Sequence, residues 1–192
     1  MKLVWTFGHI ALIAPAIGCG SVNGADLGGA GDNGSGAGAP VDTFAEPSVC
    51  ESHRTLPLIR AGGTGTMDPG MACISCHGGG KGPSFVLGGT VFATGHVPDR
   101  CDPTGVQKVD LSRAQVIITD ANGTVYTLPV NSVGNFHSPS QPAAPLAFPY
   151  SAKVVYMGRE RHMLEQQSTG DCNACHTESG QNGAPGRIAL PE

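Results

Sequence analysis

Apolar and polar positions alternate most clearly over residues 114–130. The β-branched run Ala114-Gln115-Val116-Ile117-Ile118-Thr119 is followed by Asp120-Ala121-Asn122-Gly123, and residues 124–130 return as a second apolar-polar run. Asn-Gly is the favoured turn pair for a tight hairpin, so this stretch predicts two antiparallel strands. A further strand is expected over 152–157. Residues 84–94 read as strand-like through Phe85, Val86, Leu87, Val91 and Phe92, interrupted by Gly88-Gly89. Residues 131–149 are a Pro- and Ser-rich connection, and 159–167 is the one segment with helical composition. Strands at short spacing without intervening helices predict a mainly β chain. The expected fold is a small antiparallel β-sandwich with loop-rich segments before and after it and few short helices.

The N-terminus has a different pattern. A single Lys2 precedes a mostly apolar run over 3–17, too short for a comfortable membrane span and shaped like a secretory signal peptide over 1–18. The run ends in Ala16-Ile17-Gly18-Cys19, which resembles a bacterial lipobox, so Cys19 is expected to carry lipid and anchor the mature protein. Gly20 rather than Asp after that Cys implies, within this resemblance, sorting to the outer membrane. Residues 19–48 are rich in Gly, Ala and Ser with little apolar bulk, a composition that cannot offset its own ordering entropy. They are expected to form a flexible tether, of which the 20–40 stretch alone has a span of roughly 25 Å.

Composition refines this picture. With 29 Gly and 15 Pro in 192 residues, loops and turns should outweigh long helices. The one Trp, Trp5, lies in the signal segment, leaving a modest aromatic core. A formal net charge of −4 and the absence of any basic run exclude a nucleic-acid partner from the reading.

The chemistry lies in the cysteines. The pentapeptide Cys-x-x-Cys-His occurs as Cys73-Ile74-Ser75-Cys76-His77 and again as Cys172-Asn173-Ala174-Cys175-His176. It is the attachment signature of c-type haem: two thiols add across the porphyrin vinyls, and the adjacent His ligates the iron from the proximal side. A four-thiolate zinc cage would use the same Cys pairs but gives no reason for a His after each. A thioredoxin-like redox pair calls for one motif at a helix start within a βαβ unit. The sequence therefore predicts two haem c groups, held covalently by Cys73, Cys76, Cys172 and Cys175, with His77 and His176 as proximal iron ligands. Cys50 and Cys101 remain, as a disulfide in an oxidising compartment or as two free thiols.

The stretch Gly89-Thr90-Val91, Ala114 through Gly123, and Asn131-Ser132-Val133-Gly134-Asn135-Phe136 resembles a carboxypeptidase-regulatory (transthyretin-like) β-sandwich module. With the tail that carries the second motif, the chain resembles bacterial secreted or lipoprotein dihaem cytochrome c-like proteins. The resemblance covers most of the chain after residue 70. It implies a first haem-binding segment at 49–83, the sandwich at 84–157 and a second haem-binding segment at 158–192.

The face opposite each proximal His decides the chemistry, since His or Met there makes an electron carrier and an open face permits catalysis. His53, His96, His137, His162, Met67, Met71, Met157 and Met163 are the available donors. His96, in a loop beside Cys101, is the first choice for the first haem. At the second, His162 and Met163 are adjacent and project in different directions. The resemblance favours Met163, and His137 could equally serve. The expected function is that of an exported, outer-membrane lipid-anchored dihaem cytochrome, facing the periplasm or cell surface. It would pass electrons between redox partner proteins, among them other multihaem cytochromes. The rival expectations are a haem oxidoreductase such as a peroxidase, or a docking subunit of a larger multihaem assembly.

Overall fold

The computed structural model describes residue 44 and residues 48–57, 65–79, 82–139 and 145–192. The signal segment, Cys19 and most of the tether lie outside the described residues. Among the described residues, seven strands form two sheets. In the smaller, β1 (Gly88–Phe92) is central, pairing antiparallel with β4 (Asn135–His137) and parallel with β7 (Ile188–Ala189). The larger is antiparallel throughout, in the order β3 (Val125–Pro129), β2 (Gln115–Thr119), β5 (Ser151–Tyr156), β6 (Arg159–His162). The chain is mainly β, with only two short α-helices, α1 (Cys73–His77) and α2 (Cys172–Cys175), among the described residues.

The period-2 pattern sets the core. On β2, Val116 and Ile118 point inward and meet Leu128, Val154, Tyr150, Phe136 and Val91 in one buried cluster. The alternation over 114–130 becomes the β2–β3 hairpin, with Val116 opposite Leu128 and Ile118 opposite Tyr126. Gly123 takes the left-handed conformation (φ 78°) that this turn needs. Asp120 closes it by accepting hydrogen bonds from the Asn122 and Thr124 amides at 2.9 and 2.8 Å. A satellite cluster of Phe92, Val97 and Cys101 is fastened by a Cys50–Cys101 disulfide.

Three features differ from the expectation. Residues 159–162, of helical composition, form strand β6, because Met157 and Gly158 both take positive φ (50° and 81°) and reverse the chain into a hairpin. That hairpin sets Lys153 against Glu160 at 2.8 Å on the outer face, so sheet pairing overrides helix propensity. The sandwich does not stop at 157. It takes in β6, and β7 returns from beyond the second motif to pair parallel with β1. Gly88-Gly89 is not an interruption but the start of β1, buried on both faces.

Candidate functional site

Both Cys-x-x-Cys-His motifs fold as single helical turns, α1 and α2, and both lie against the start of β1. The glycines there permit the approach. A Cβ on Gly88 would stand 3.3 Å from the Cβ of Cys73, and one on Gly89 would stand 2.8 Å from the Cβ of Cys172. Cys73 and Cys172, the first cysteines of the two motifs, are thus brought to neighbouring residues of one strand.

Polar contacts join the motifs directly. Asn173, between the cysteines of the second motif, is 2 % exposed. Its Oδ1 accepts from the Thr90 amide at 3.0 Å, and its Nδ2 donates to the Met71 carbonyl at 2.9 Å and to Thr90 Oγ1 at 3.0 Å. Asp171, just ahead of the second motif, accepts from the Ser75 amide inside the first at 3.3 Å. Its other oxygen, Oδ1, is buried without a hydrogen-bond partner, and burial raises its carboxyl above the ordinary range. Neither Asn173 nor Asp171 stood out in the sequence.

The two histidines are set alike. His77 Nδ1 lies 2.8 Å from the Pro83 carbonyl, and His176 Nδ1 lies 2.9 Å from the Gly186 carbonyl. A carbonyl only accepts, so each Nδ1 carries the proton and donates, leaving each Nε2 lone pair for a metal. Burial lowers the His176 pKa, and the nearby Arg187 lowers it further against the opposing Gly186 bond, so this imidazole is neutral at neutral pH.

The Cys73 and Cys172 thiols are not poised for exchange chemistry. Burial, reinforced by the neighbouring Cys172 and Asp171, pushes Cys73 up to about 12. Cys172 is likewise pushed up to about 12, chiefly by burial. A thioredoxin-like nucleophile needs the opposite shift. Zinc lacks a cage too: among the described residues no three His, Cys, Asp or Glu side chains converge on one point. Cys73, Cys76 and Cys172 are free thiols, whereas Cys175 is disulfide-bonded and would have to be released before it could form a thioether.

The second motif opens on a cavity of about 350 Å³, within the range of ligand and cofactor sites. Cys172, Cys175 and His176 line one side, with Val116, Ile118, Phe136 and Tyr150 of the sandwich behind them. Met163 lines the same cavity and packs against the core, one residue past β6. His162 also borders it, but its ring is 62 % exposed and bonded to Glu160 at 2.9 Å. The adjacent pair does project in different directions, Met163 inward and His162 outward. The tautomer and the apolar cavity fit a haem at the second motif, where Cys172 is a free thiol and Cys175 becomes available once its disulfide opens.

At the first motif both thiols are free and the tautomer is the same, but His77 is packed rather than facing that cavity. Its ring stacks on Phe85 at 4.2 Å, and Phe85 stacks on His137 at 4.7 Å. His137 therefore stands one ring away from His77 and does not line the second cavity. His96 is not beside His77. It lies against the loop after the second motif, with Nδ1 2.6 Å from the Glu178 carbonyl and Nε2 2.7 Å from the Phe44 carbonyl. Both its nitrogens are occupied, so His96 acts here as a clamp between loop and N-terminal segment. The donor nearest His77 is one of the other sequence candidates, Met67, whose Sδ is 3.4 Å from His77 Nε2.

Arg187 ties the arrangement together. It is 1 % exposed, with its guanidinium over the Phe92 ring at 4.9 Å. It donates to the carbonyls of Val97 at 2.7 Å, Gly70 at 3.3 Å and His176 at 3.3 Å, and it pairs with Asp99. One cation thereby holds the chain entering α1 and the chain leaving α2. No helix among the described residues is long and apolar enough to cross a membrane. Comparison with protein-family models, curated proteins and solved structures gives no match to this chain.

Proposed function

We propose that this chain is an exported, lipid-anchored dihaem c-type cytochrome that passes electrons between redox partner proteins. The observation that carries the reading is the repeated histidine geometry. Two separate Cys-x-x-Cys-His turns each hold their His through an Nδ1–H donated to a backbone carbonyl. A chance recurrence of the pentapeptide has no reason to reproduce that bond. Cys73, Cys76 and His77 would hold one haem, and Cys172, Cys175 and His176 the other. Each haem, when bound, supplies reversible one-electron chemistry at iron.

The chain's own contribution is placement. Gly88 and Gly89 admit both attachment turns to one strand, and Asn173 bonds the second turn to the backbone leading into the first. Such closeness suits electron passage between two centres, because tunnelling falls steeply with distance. The apolar sandwich residues behind the second motif would exclude water and favour the less charged state of whatever group sits there.

The test is the haem content of mature protein made in a host with c-type maturation, read by pyridine haemochrome and intact mass. Two covalent haems per chain are expected, falling to one in Cys172→Ser/Cys175→Ser. The same mass reports whether Cys19 carries lipid. A mass equal to the bare polypeptide sinks the cytochrome reading.

A further inference from the structure

We propose that Met67 is the second axial ligand at the first motif, making that site a His77–Met67 pair. The inference rests on the cytochrome reading above. It starts from tautomer: with the Nδ1 proton given to the Pro83 carbonyl, Nε2 is the nitrogen of His77 that can bind a metal. The atom facing that nitrogen is the Met67 sulfur, at 3.4 Å. A thioether sulfur is a soft donor and a haem-iron ligand that raises the reduction potential relative to His.

The competing donors are turned elsewhere. Met71 is 44 % exposed, and its carbonyl is engaged by Asn173. His137 is separated from His77 by the Phe85 ring. His96 has both ring nitrogens on carbonyls next to the second motif. Met163 lines the second motif's cavity.

Met67 is also held where a ligand would need to be held. Its carbonyl accepts from Asn135 Nδ2 at 2.6 Å, and Asn135 Oδ1 accepts from Thr90 Oγ1 at 2.8 Å. Thr90 Oγ1 in turn accepts from the Gly70 amide at 3.0 Å. The backbone of 67–70 is thus pinned to β1 and β4 while the side chain stays adjustable. Three rotatable bonds let the sulfur draw back from 3.4 Å to admit a metal between the two donors.

The experiment uses the full-length, haem-loaded protein with ¹³C-methyl-methionine labelling. In the ferrous state a ligating Met methyl lies over the porphyrin and is shifted far upfield in NMR. In the ferric state Met ligation gives a weak far-red thioether-to-iron absorption band. Met67→Leu is expected to remove one upfield methyl and its share of the far-red band, with both haems still attached. Met67→His should restore a low-spin haem without restoring the band, separating ligation from packing. An upfield set unchanged in Met67→Leu overturns the assignment, as does a set that disappears entirely with Met163→Leu. Absence of covalent haem by pyridine haemochrome overturns the cytochrome reading and the ligand assignment with it, a result distinct from two haems with no shifted Met67.

Discussion

Asn173 shows how much one spacer residue can carry. In the attachment pentapeptide the two positions between the cysteines are chemically unconstrained, yet this one bonds the second motif to Thr90 and to the chain entering the first. Replacing it with Ala would leave the buried Thr90 amide without a partner and the Met71 carbonyl with only the weak Cys73 thiol bond at 3.5 Å. Each orphaned buried group costs about 1–3 kcal/mol, so Asn173→Ala should lower unfolding stability by about 2–3 kcal/mol. Urea denaturation of the protein without bound groups checks this, and an unchanged midpoint would mean that water replaces the amide. The same substitution should raise the alkylation rate of Cys73, whose sulfur lies 3.7 Å from Asn173 Nδ2. Asp120, by contrast, works on its own turn. Despite the opposing effect of burial, the Thr124, Ala147 and Asn122 amides hold its carboxyl below the ordinary value of 3.8. Its folded pKa is depressed, so its stabilisation is complete above the ordinary value and is lost as pH falls through the folded one. The stability gap between the parent and Asp120→Asn should therefore be constant near neutrality and close on acidification below about pH 4. A gap independent of pH down to 2 would assign the effect to geometry alone.

At the scale of elements, what could be read from sequence was what local chemistry specifies. The β2–β3 hairpin follows from alternation and an Asn-Gly turn, and β5 from its apolar run. β6 was hidden because Arg159, Glu160 and Arg161 are good helix formers; the strand exists through the Met157-Gly158 reversal and pairing with β5. β7 is two residues long and earns its place only by lying beside β1, a non-local pairing that no local pattern announces. The attachment turns were legible as a motif, but their meeting at Gly88-Gly89 was not. A glycine pair in an apolar run reads as a break until the third dimension supplies the two cysteines behind it. This gives a sharp test. Gly89→Ala places a Cβ 2.8 Å from Cys172 Cβ and 2.9 Å from the Phe136 ring, where α2 or the ring must shift. Overpacking of this kind costs about 1–3 kcal/mol. The variant should melt earlier and attach less haem at the second motif than at the first. Equal loss at both motifs would show that Gly89 serves the sheet and not the second turn.

The whole molecule is a small sandwich whose long loops are secured by a few non-local ties. The Cys50–Cys101 disulfide closes a loop of 51-residue separation around the first motif. In the chain-entropy account, opening a loop of that length removes about 4 kcal/mol. Arg187 does for the two motifs together what the disulfide does for the first. Its planar fork reaches the Val97, Gly70 and His176 carbonyls and Asp99 simultaneously, and a lysine ammonium cannot span that set. Arg187→Lys keeps the charge and so isolates the geometry. It should cost at least about 2 kcal/mol, and Arg187→Met about 3 kcal/mol or more, since two buried carbonyls and one half-buried carbonyl lose a charged donor. The distinctive expectation concerns coupling. Because Gly70 precedes α1 and His176 ends the second motif, either variant should raise the alkylation rates of Cys73 and Cys172 in parallel, measured by mass spectrometry on protein without bound haem. Exposure of only one of the two thiols would show that each motif is anchored to the sandwich separately, and that Arg187 stabilises the fold without joining the sites.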